Sequence, residues 1–182
     1  GLGVNKPNNG EGIMPLPILK THENVEVVRD DLFPYGSKAR FLDGYFRSIP
    51  HEEVVYGSSP RWGFAQISIA YLARRHEKRA TLFVPMAKTG LSSYSQRAEA
   101  LGATVIQVPM GFLIVCEARA RAFAEKRQAL LLPCGLDIPQ AIDMIAETAR
   151  GLPVNAEEVW TVASSGTLTR GLQKAFPSAE FF

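Results

Sequence analysis

The chain has 182 residues, of which 46% are apolar and 21% charged, so it is long enough to bury the core of one domain or of two small ones. Twenty basic and eighteen acidic residues leave a formal net charge of +2, and their scatter gives no indication of a nucleic-acid partner. No apolar run reaches the roughly 18 residues that span a bilayer, and no secretory signal is apparent, so we expect a cytoplasmic protein without a membrane partner. The two cysteines lie far apart and form no metal-ligand pattern, so no metal site is predicted.

Strand and helix patterns alternate along most of the chain. Residues 1–20 are rich in Gly, Pro and Asn, which predicts an extended arm or a loose loop. Strands are then predicted at residues 25–28, 54–56, 81–84, 104–108, 130–132 and 159–162. Helices are predicted at residues 36–46, 64–75, 92–101, 112–126, 138–150 and 169–175. Because the strands are continuous apolar runs, we predict an α/β fold: an open, mostly parallel sheet with helices on both faces, in three αβα layers.

The turns between these elements predict where a ligand binds. In an open parallel sheet the ligand lies at the carboxyl ends of the strands, where the strand-to-helix turns gather. The turns with unusual composition here are those at residues 34–38, 56–63, 133–137 and 163–167. We therefore expect the functional site among these four turns.

The last of these turns has the composition of an anion site. It follows the sixth predicted strand and contains Ser164, Ser165, Gly166, Thr167, Leu168 and Thr169. Its backbone N–H groups and hydroxyls are expected to face a common anion, with the positive end of the following helix behind them. In the alternative, the turn is only a helix cap in which Ser165 and Thr167 satisfy free N–H groups. Arg170 would either add a charge-assisted contact or point to solvent.

Lys38 is the candidate catalytic residue. It lies near the start of the first predicted helix, after Gly36, where neighbouring residues would lower the pKa of its amine toward the range that imine formation requires. In the alternative, Lys38 is an ordinary surface lysine. Arg40 should face elsewhere and serve as a structural ion-pair partner. An amine and an anion-binding turn together suit an aldehyde cofactor that carries a phosphate.

The turn at residues 57–63 predicts a substrate-binding segment. Its hydroxyls, its backbone amides at a helix start and its one guanidinium would suit a substrate carboxylate. The predicted substrate-binding residues are Ser58, Ser59, Arg61 and Trp62. For Trp62, a role as an anchor in the apolar core is an equal alternative.

Other polar residues at turns have structural interpretations first. Ser92 or Ser93 is predicted to cap the third helix, and Asp137 is predicted to cap the fifth before any role as a catalytic acid. Tyr35 and Tyr56 are candidates for acid–base or ring-contacting groups, with simple packing as the alternative.

Three segments of the sequence together resemble one enzyme family. Gly36-Ser37-Lys38-Ala39-Arg40-Phe41-Leu42 is similar to a Gly-Gly-Asn-Lys-x-Arg-Lys-Leu helix, residues 132–139 resemble an Ile-Pro-x-Gly loop, and residues 164–171 match a phosphate-cradling turn. All three occur in pyridoxal-phosphate enzymes of the tryptophan-synthase β-subunit fold type, fold type II. Within it, the branch of aminocyclopropane-carboxylate deaminase and D-cysteine desulfhydrase is the most similar. The resemblance spans about residues 25–182.

This resemblance implies a cofactor and a domain organisation. Pyridoxal 5'-phosphate would form an imine with Lys38, and the 164–169 turn would hold its phosphate. The family's Ser-Asn-His/Gln segment falls near Arg61-Trp62-Gly63, so the asparagine contact to the cofactor is lost or supplied by another group. The implied architecture has an N-terminal arm at residues 1–24 and a smaller inserted α/β subdomain at residues 58–127. Its larger, cofactor-binding part comprises residues 25–57 and 128–182.

The resemblance also implies a reaction class. Deaminase or lyase chemistry on a small, amino-acid-like substrate fits best, and decarboxylation of an amino acid attached to a larger molecule is an alternative. Two hypotheses of other classes remain open: a non-catalytic module that binds a phosphate ligand, and a scaffold subunit that completes a larger partner. A homodimer is compatible with the expected cleft.

Overall fold

The structure, a computed structural model, describes residues 14–109 and 111–182. Its strands are β1 (Leu19–His22), β2 (Val25–Val28), β3 (Glu53–Tyr56), β4 (Arg79–Pro85), β5 (Thr104–Val108), β6 (Leu130–Leu131), β7 (Glu158–Val159) and β8 (Glu180–Phe181). Its helices are α1 (Ser37–Ser48), α2 (Ala65–Arg75), α3 (Ser93–Ala100), α4 (Leu113–Arg127), α5 (Pro139–Arg150) and α6 (Thr167–Ala175). None of the helices in these ranges is both long and apolar enough to cross a membrane.

The main sheet has four parallel strands in the order β5-β4-β3-β6. The strand predicted at residues 54–56 is β3, which pairs with β4 on one side and with β6 on the other. All four residues of β3 are buried. A strand covered on both faces needs apolar side chains in succession, which is why residues 54–56 form an uninterrupted apolar run. The predicted α/β class with a mostly parallel sheet is confirmed.

Helices cover both faces of the main sheet. On one face α1, α2, α3 and α5 form the larger apolar cluster, in which Leu42 and Leu72 pack with Leu82 of β4. On the other face α4 places Cys116 against a cluster that includes Val55. Burial of a leucine such as Leu72 stabilises the fold by about 1.5–3 kcal/mol. The larger cluster therefore fixes α1, and with it the start of α1, relative to the sheet.

The β1–β2 hairpin lies apart from the main sheet. Its antiparallel register joins Leu19 to Val28 and His22 to Val25. The strand predicted at residues 25–28 is present, but it pairs within this hairpin, and β1 was not predicted. Every residue of β2 is exposed, so the pair lacks the buried face from which an apolar period arises. Of the arm predicted at residues 1–24, residues 1–13 lie outside the described residues, and residues 19–22 form β1.

The C-terminal segment forms a second small sheet and a helix. β7 and β8 pair in parallel, and β7 is shorter than the strand predicted at residues 159–162. Beyond β7, Trp160 stacks on Phe182 with 4.7 Å between ring centroids. The last helix, α6, begins two residues earlier than predicted. It packs so closely on α5 that a Cβ at Gly171 would collide with the side chain of Ile145.

The domain division drawn from the sequence stays a prediction. The main sheet takes β3 and β6 from the part expected to be larger, and it takes β4 and β5 from residues 58–127. One continuous hydrogen-bonded ladder therefore runs across the expected boundary.

Candidate functional site

A cleft of about 140 Å³ lies between the start of α1 and the start of α6. Four segments line it: the first turns of α1, the loop before α5, the inner side of α5 and the chain that leads into α6. The lining residues are Ser37, Lys38, Phe41, Leu42, Gly135, Leu136, Ala141, Ile145 and residues 162–169. Lys38 and all six residues of the 164–169 turn therefore meet at one cleft, which we call the Lys38 cleft.

Lys38 is the second residue of α1, which follows Gly36 with a φ of 77°. The side chain as a whole is exposed to the mouth of the cleft, yet the surrounding protein desolvates the ammonium and lowers the pKa of Lys38. Within residues 14–109 and 111–182, no hydrogen bond or ion pair engages its Nζ atom. More of this amine is therefore neutral, and free to act as a nucleophile, than in an ordinary lysine.

Aromatic packing and two backbone contacts hold the loop that precedes Lys38. Tyr35 stacks on Tyr71 of α2 with 3.7 Å between ring centroids. The backbone carbonyl of Tyr35 accepts a hydrogen bond of 2.7 Å from Ser68 Oγ, and that of Pro34 accepts one of 3.0 Å from Arg97 Nη2. Tyr35 therefore packs against α2, and it is not among the described residues that line the cleft.

Arg40 faces away from the cleft, as expected. Its guanidinium is buried, donates to Asp30 Oδ1 at 2.7 Å and to the backbone carbonyl of Pro15 at 2.8 Å, and lies over the ring of Phe33. The expectation of a structural ion pair is confirmed. Lys38 is therefore the cation of this segment that remains at the cleft.

The 164–169 turn presents hydroxyls around the start of α6. Gly166, with a φ of 80°, is the residue at which the helix starts, and no described side chain caps it. Ser165 Oγ and Thr167 Oγ1 lie 3.1 Å apart and share one hydrogen bond. The alternative of a turn capped by these two side chains is therefore wrong. Their remaining lone pairs and protons, with the backbone N–H groups of the first helical turn, are left to the cleft.

Thr169 carries a polar atom that the protein itself does not satisfy. Its Oγ1 is buried and has no hydrogen-bond partner among the described residues. An unsatisfied buried hydroxyl destabilises a folded protein by about 1–3 kcal/mol. Thr169 is one of the described residues that line the Lys38 cleft.

The loop at residues 133–137 lies directly against this turn. Gly135 has a φ of 67°, and a Cβ at this position would collide with the side chain of Ser165. Asp137 Oδ1 accepts a hydrogen bond of 2.8 Å from Arg170 Nη2. The prediction that Asp137 caps α5 is wrong, because Ile138 occupies the cap position and Asp137 instead faces α6.

Tyr56 lies beneath the same loop at the end of β3. Burial, with a smaller contribution from nearby Cys134, raises the pKa of Tyr56 to about 12, so the phenol stays protonated at neutral pH. Its hydroxyl donates to the backbone carbonyl of Ser58 at 3.4 Å. Tyr56 is not among the described residues that line the cleft. Its contacts connect the turn at residues 57–63 with the loop at residues 133–137.

The predicted substrate-binding residues lie at the carboxyl end of β3, and none of them is among the described cleft-lining residues. Ser59 is buried and donates to neighbouring carbonyls within its own turn. Arg61 donates to Thr89 Oγ1 at 2.7 Å and lies over the ring of Trp62. Trp62 is 60% exposed, so the alternative of a core anchor is wrong. Ser58 is half-buried. The substrate role of these four residues stays a prediction.

Gln66 shapes that turn, and sequence patterns gave no signal for it. Its side chain is fully buried at the start of α2, and its Nε2 lies 3.2–3.3 Å from the backbone carbonyls of Pro60, Arg61 and Gly63. Its Oε1 accepts a hydrogen bond of 2.6 Å from Ser95 Oγ.

Among the described residues, no group of three or more His, Cys, Asp or Glu side chains is placed to hold a metal ion.

Solved structures share this fold. An L-serine ammonia-lyase from Rhizomucor miehei matches 90% of this chain with a TM-score of 0.73 and 18% identity, and the match covers 55% of that enzyme. Threonine deaminase isoform 2 from Solanum lycopersicum matches 87% of this chain with a TM-score of 0.71 and 19% identity, over 45% of its own length. A pyridoxal 5'-phosphate-dependent aspartate racemase matches 80% of this chain with a TM-score of 0.61 and 17% identity, over 46% of its length.

The chain has the fold of these enzymes. They are fold-type-II enzymes, so the predicted fold type is confirmed. The chain spans about half the length of the structures that it matches. No protein-family model matches the sequence, and a search of curated proteins gives no match either. At these identities the similarity establishes the fold and leaves the reaction to be argued from the cleft.

Proposed function

We propose that the protein is a pyridoxal-phosphate-dependent enzyme that acts on an amino acid or a similar small amine, with deaminase or lyase chemistry. One observation carries the proposal: the amine of Lys38, with its lowered pKa, faces the same cleft as the hydroxyl-rich start of α6. Similar solved enzymes include a threonine deaminase and an ammonia-lyase. The motif at residues 36–42 supports the branch of aminocyclopropane-carboxylate deaminase and D-cysteine desulfhydrase.

The described residues fit both ends of this cofactor. A phosphate needs several N–H and hydroxyl donors and a positive potential, which the start of α6 offers with Ser165, Thr167 and Thr169. The unsatisfied Oγ1 of Thr169 is the strongest support, because a phosphate oxygen would accept its proton. Lys38 Nζ, free of partners in the described residues, would bond to the aldehyde carbon with loss of water.

The chain's own residues would then direct the chemistry. When bound, pyridoxal phosphate supplies an electron sink for the negative charge left at the substrate α-carbon. Lys38, displaced by the substrate amine, would accept the α-proton at Nζ and return a proton later, because its lowered pKa suits both roles. Phe41, Leu42 and Leu136 line the cleft and would exclude water from the proton transfer.

An absorbance titration with pyridoxal phosphate tests the proposal. The wild type should develop the visible band of a lysine-bound cofactor, Lys38→Ala should not, and Lys88→Ala, a change at an exposed loop lysine, should behave as the wild type. Borohydride reduction followed by peptide mapping should place the label on Lys38. A wild type that stays colourless, or a label on another lysine, would contradict the proposal.

Product analysis distinguishes the reaction classes. A deaminase releases the amino nitrogen of the substrate as ammonia, a lyase releases a group eliminated from the carbon chain of the substrate, and a decarboxylase releases carbon dioxide. Arg61 and Trp62 fall near the segment in which the family that the sequence resembles has its asparagine, which favours a second candidate, a non-catalytic module for a phosphate ligand. Phosphate-ligand binding that persists in Lys38→Ala, without any chromophore in the wild type, would favour that module.

A further inference from the structure

We propose that Arg170 and Asp137 form a clasp that positions the 164–169 turn, and that neither side chain binds the anion itself. Its relevance to pyridoxal phosphate rests on the proposed function, whereas the clasp stands on geometry alone. The proposal separates two roles that the sequence leaves open for Arg170: a contact to the phosphate, and a contact elsewhere.

The guanidinium of Arg170 is already engaged by the protein on two sides. Its Nη2 donates to Asp137 Oδ1 at 2.8 Å, and its Nε lies 3.5 Å from the backbone carbonyl of Gly166. One side chain in the first turn of α6 thereby connects the neighbouring loop to the glycine at which α6 starts. The pair carries no net charge, so attraction for an anion is left to Lys38, the hydroxyls and the N–H groups.

The loop that receives the clasp is fixed to the centre of the fold. The backbone N–H of Leu132 donates to Val55 of β3 at 2.8 Å, and Leu136 is fully buried. Gly135 lies against Ser165 without space for a side chain between them. The core therefore holds the 133–137 loop in place, and the contact between Arg170 and Asp137 fixes the start of α6 relative to this loop.

Other contacts hold the body of α6 but not its start. Lys174 Nζ pairs with Asp143 of α5 at 2.5 Å, and the backbone carbonyl of Lys174 accepts a hydrogen bond of 2.8 Å from Arg150. Both contacts lie one helical turn or more beyond the anion-binding residues. On the opposite side, the chain at Val162 and Ser164 is exposed. Among the described residues, the Arg170–Asp137 pair is therefore the polar contact that joins the 164–169 turn to the 133–137 loop.

The clasp should have a modest and specific effect. Asp137 and Arg170 are 47% and 46% exposed, and an exposed ion pair of this kind changes an equilibrium by about two- to fivefold. High salt should weaken it further, since the pair is open to solvent. A clasp and a direct phosphate ligand differ in one respect: only the clasp requires Asp137 as much as Arg170.

The experiment compares Asp137→Asn, Arg170→Gln, the double variant and the charge exchange Asp137→Arg with Arg170→Asp. Hydrogen exchange of the amides at residues 164–169 reports the turn without any ligand, and titration with inorganic phosphate reports the anion site. Asp143→Asn is the matched control, because it removes an exposed ion pair between α5 and the same helix. Circular dichroism verifies that each variant is folded.

The clasp predicts that both single variants speed exchange in the turn and weaken phosphate binding about two- to fivefold, with no further effect in the double variant. The charge exchange should restore part of both, and Asp143→Asn should change neither. A loss of phosphate affinity confined to Arg170→Gln would mean that Arg170 is a direct phosphate ligand, and it would overturn the clasp. Equal effects in Asp143→Asn would overturn the clasp as well. A wild type that passes these tests but forms no visible band with pyridoxal phosphate would refute the proposed function alone.

Discussion

Ser165 lies so close to the backbone of Gly135 that a Cβ at position 135 would occupy the space of the serine side chain. Two segments far apart in the sequence therefore share one van der Waals contact at the wall of the Lys38 cleft. The contact is possible only because residue 135 has no side chain and adopts a φ of 67°.

Gly135→Ala should destabilise the protein and loosen the 164–169 turn. The positive φ alone costs about 1–2 kcal/mol for a residue with a Cβ, and the collision with Ser165 adds to it. Gly90→Ala is the matched control, since Gly90 has the same sign of φ but no atom within 4 Å of the added Cβ. Chemical denaturation should show the larger loss for Gly135→Ala, and equal losses would mean that the contact with Ser165 is unimportant.

Thr169→Val should improve stability and impair binding at the same time. The substitution keeps the shape and removes a buried hydroxyl that lacks a partner, so the free energy of unfolding of the ligand-free protein should rise by about 1 kcal/mol. Affinity for inorganic phosphate should fall, because the cleft loses a donor. Thr169→Ser, which keeps the hydroxyl, should retain the affinity. A valine variant that binds phosphate as the wild type does would remove Thr169 from the anion site.

Lys38 should make the stability of the ligand-free protein depend on alkaline pH. Burial lowers its pKa in the folded state below the ordinary value of 10.5. Between these two values the unfolded chain binds more protons, so the free energy of unfolding contributed by this group rises with pH. Denaturation curves of wild type and Lys38→Met should therefore converge as the pH approaches 10.5 from below. Profiles that stay parallel would mean that the protein does not desolvate the amine.

Asp43→Asn should be among the most destabilising polar substitutions. The buried carboxylate accepts hydrogen bonds from Arg75 Nε at 2.9 Å and Arg47 Nη2 at 3.0 Å, and it lies 2.8 Å from His76 Nε2. Loss of one partner from a buried ionic group costs about 3–5 kcal/mol. The exposed Asp31, which pairs with Arg29, is the control, and Asp31→Asn should change the denaturation midpoint little. Similar midpoints in the two variants would contradict a structural role for Asp43.

Gln66→Leu tests whether the turn at residues 57–63 serves the substrate. The variant removes the amide that donates to backbone carbonyls of that turn, so the free energy of unfolding should fall by about 1–3 kcal/mol. If the turn holds the substrate carboxylate, KM should rise while cofactor affinity stays unchanged. Gln66→Glu gives a second measurement, because it keeps the size and replaces the donating amide. A Gln66→Leu enzyme with the KM of the wild type would remove the turn from substrate binding.

The sequence predicted the elements that bury an apolar face, together with the meeting of Lys38 and the 164–169 turn. Runs such as residues 81–84 form strands because the sheet buries them. Ser92 caps α3 as expected, by accepting a hydrogen bond of 3.1 Å from the backbone N–H of Ser95. The rule that turns gather at one edge of the sheet predicted a shared site for four turns. Residues from three of them, 34–38, 133–137 and 163–167, line the Lys38 cleft, whereas no described lining residue comes from the fourth, 56–63.

The remaining features depend on long-range contacts that no local pattern encodes. Asp137 has the composition of a helix cap, but a closer guanidinium, that of Arg170, determines where its carboxylate points. Gln66 resembles any polar residue near a helix start, and only the packed structure shows three carbonyls around its amide. The β1 strand was missed because neither face of its hairpin is covered, so its side chains follow no apolar period.

Lys38 and the 164–169 turn stand near opposite ends of the described chain, and the cleft exists only while both ends are in place. A small molecule joined to the one and anchored by the other would act as a reversible crosslink, comparable in effect to a disulfide that closes a long loop. In the proposed enzyme, a substrate amine that took the place of Lys38 would open that crosslink, so the protein should resist heat less well with substrate bound than without it.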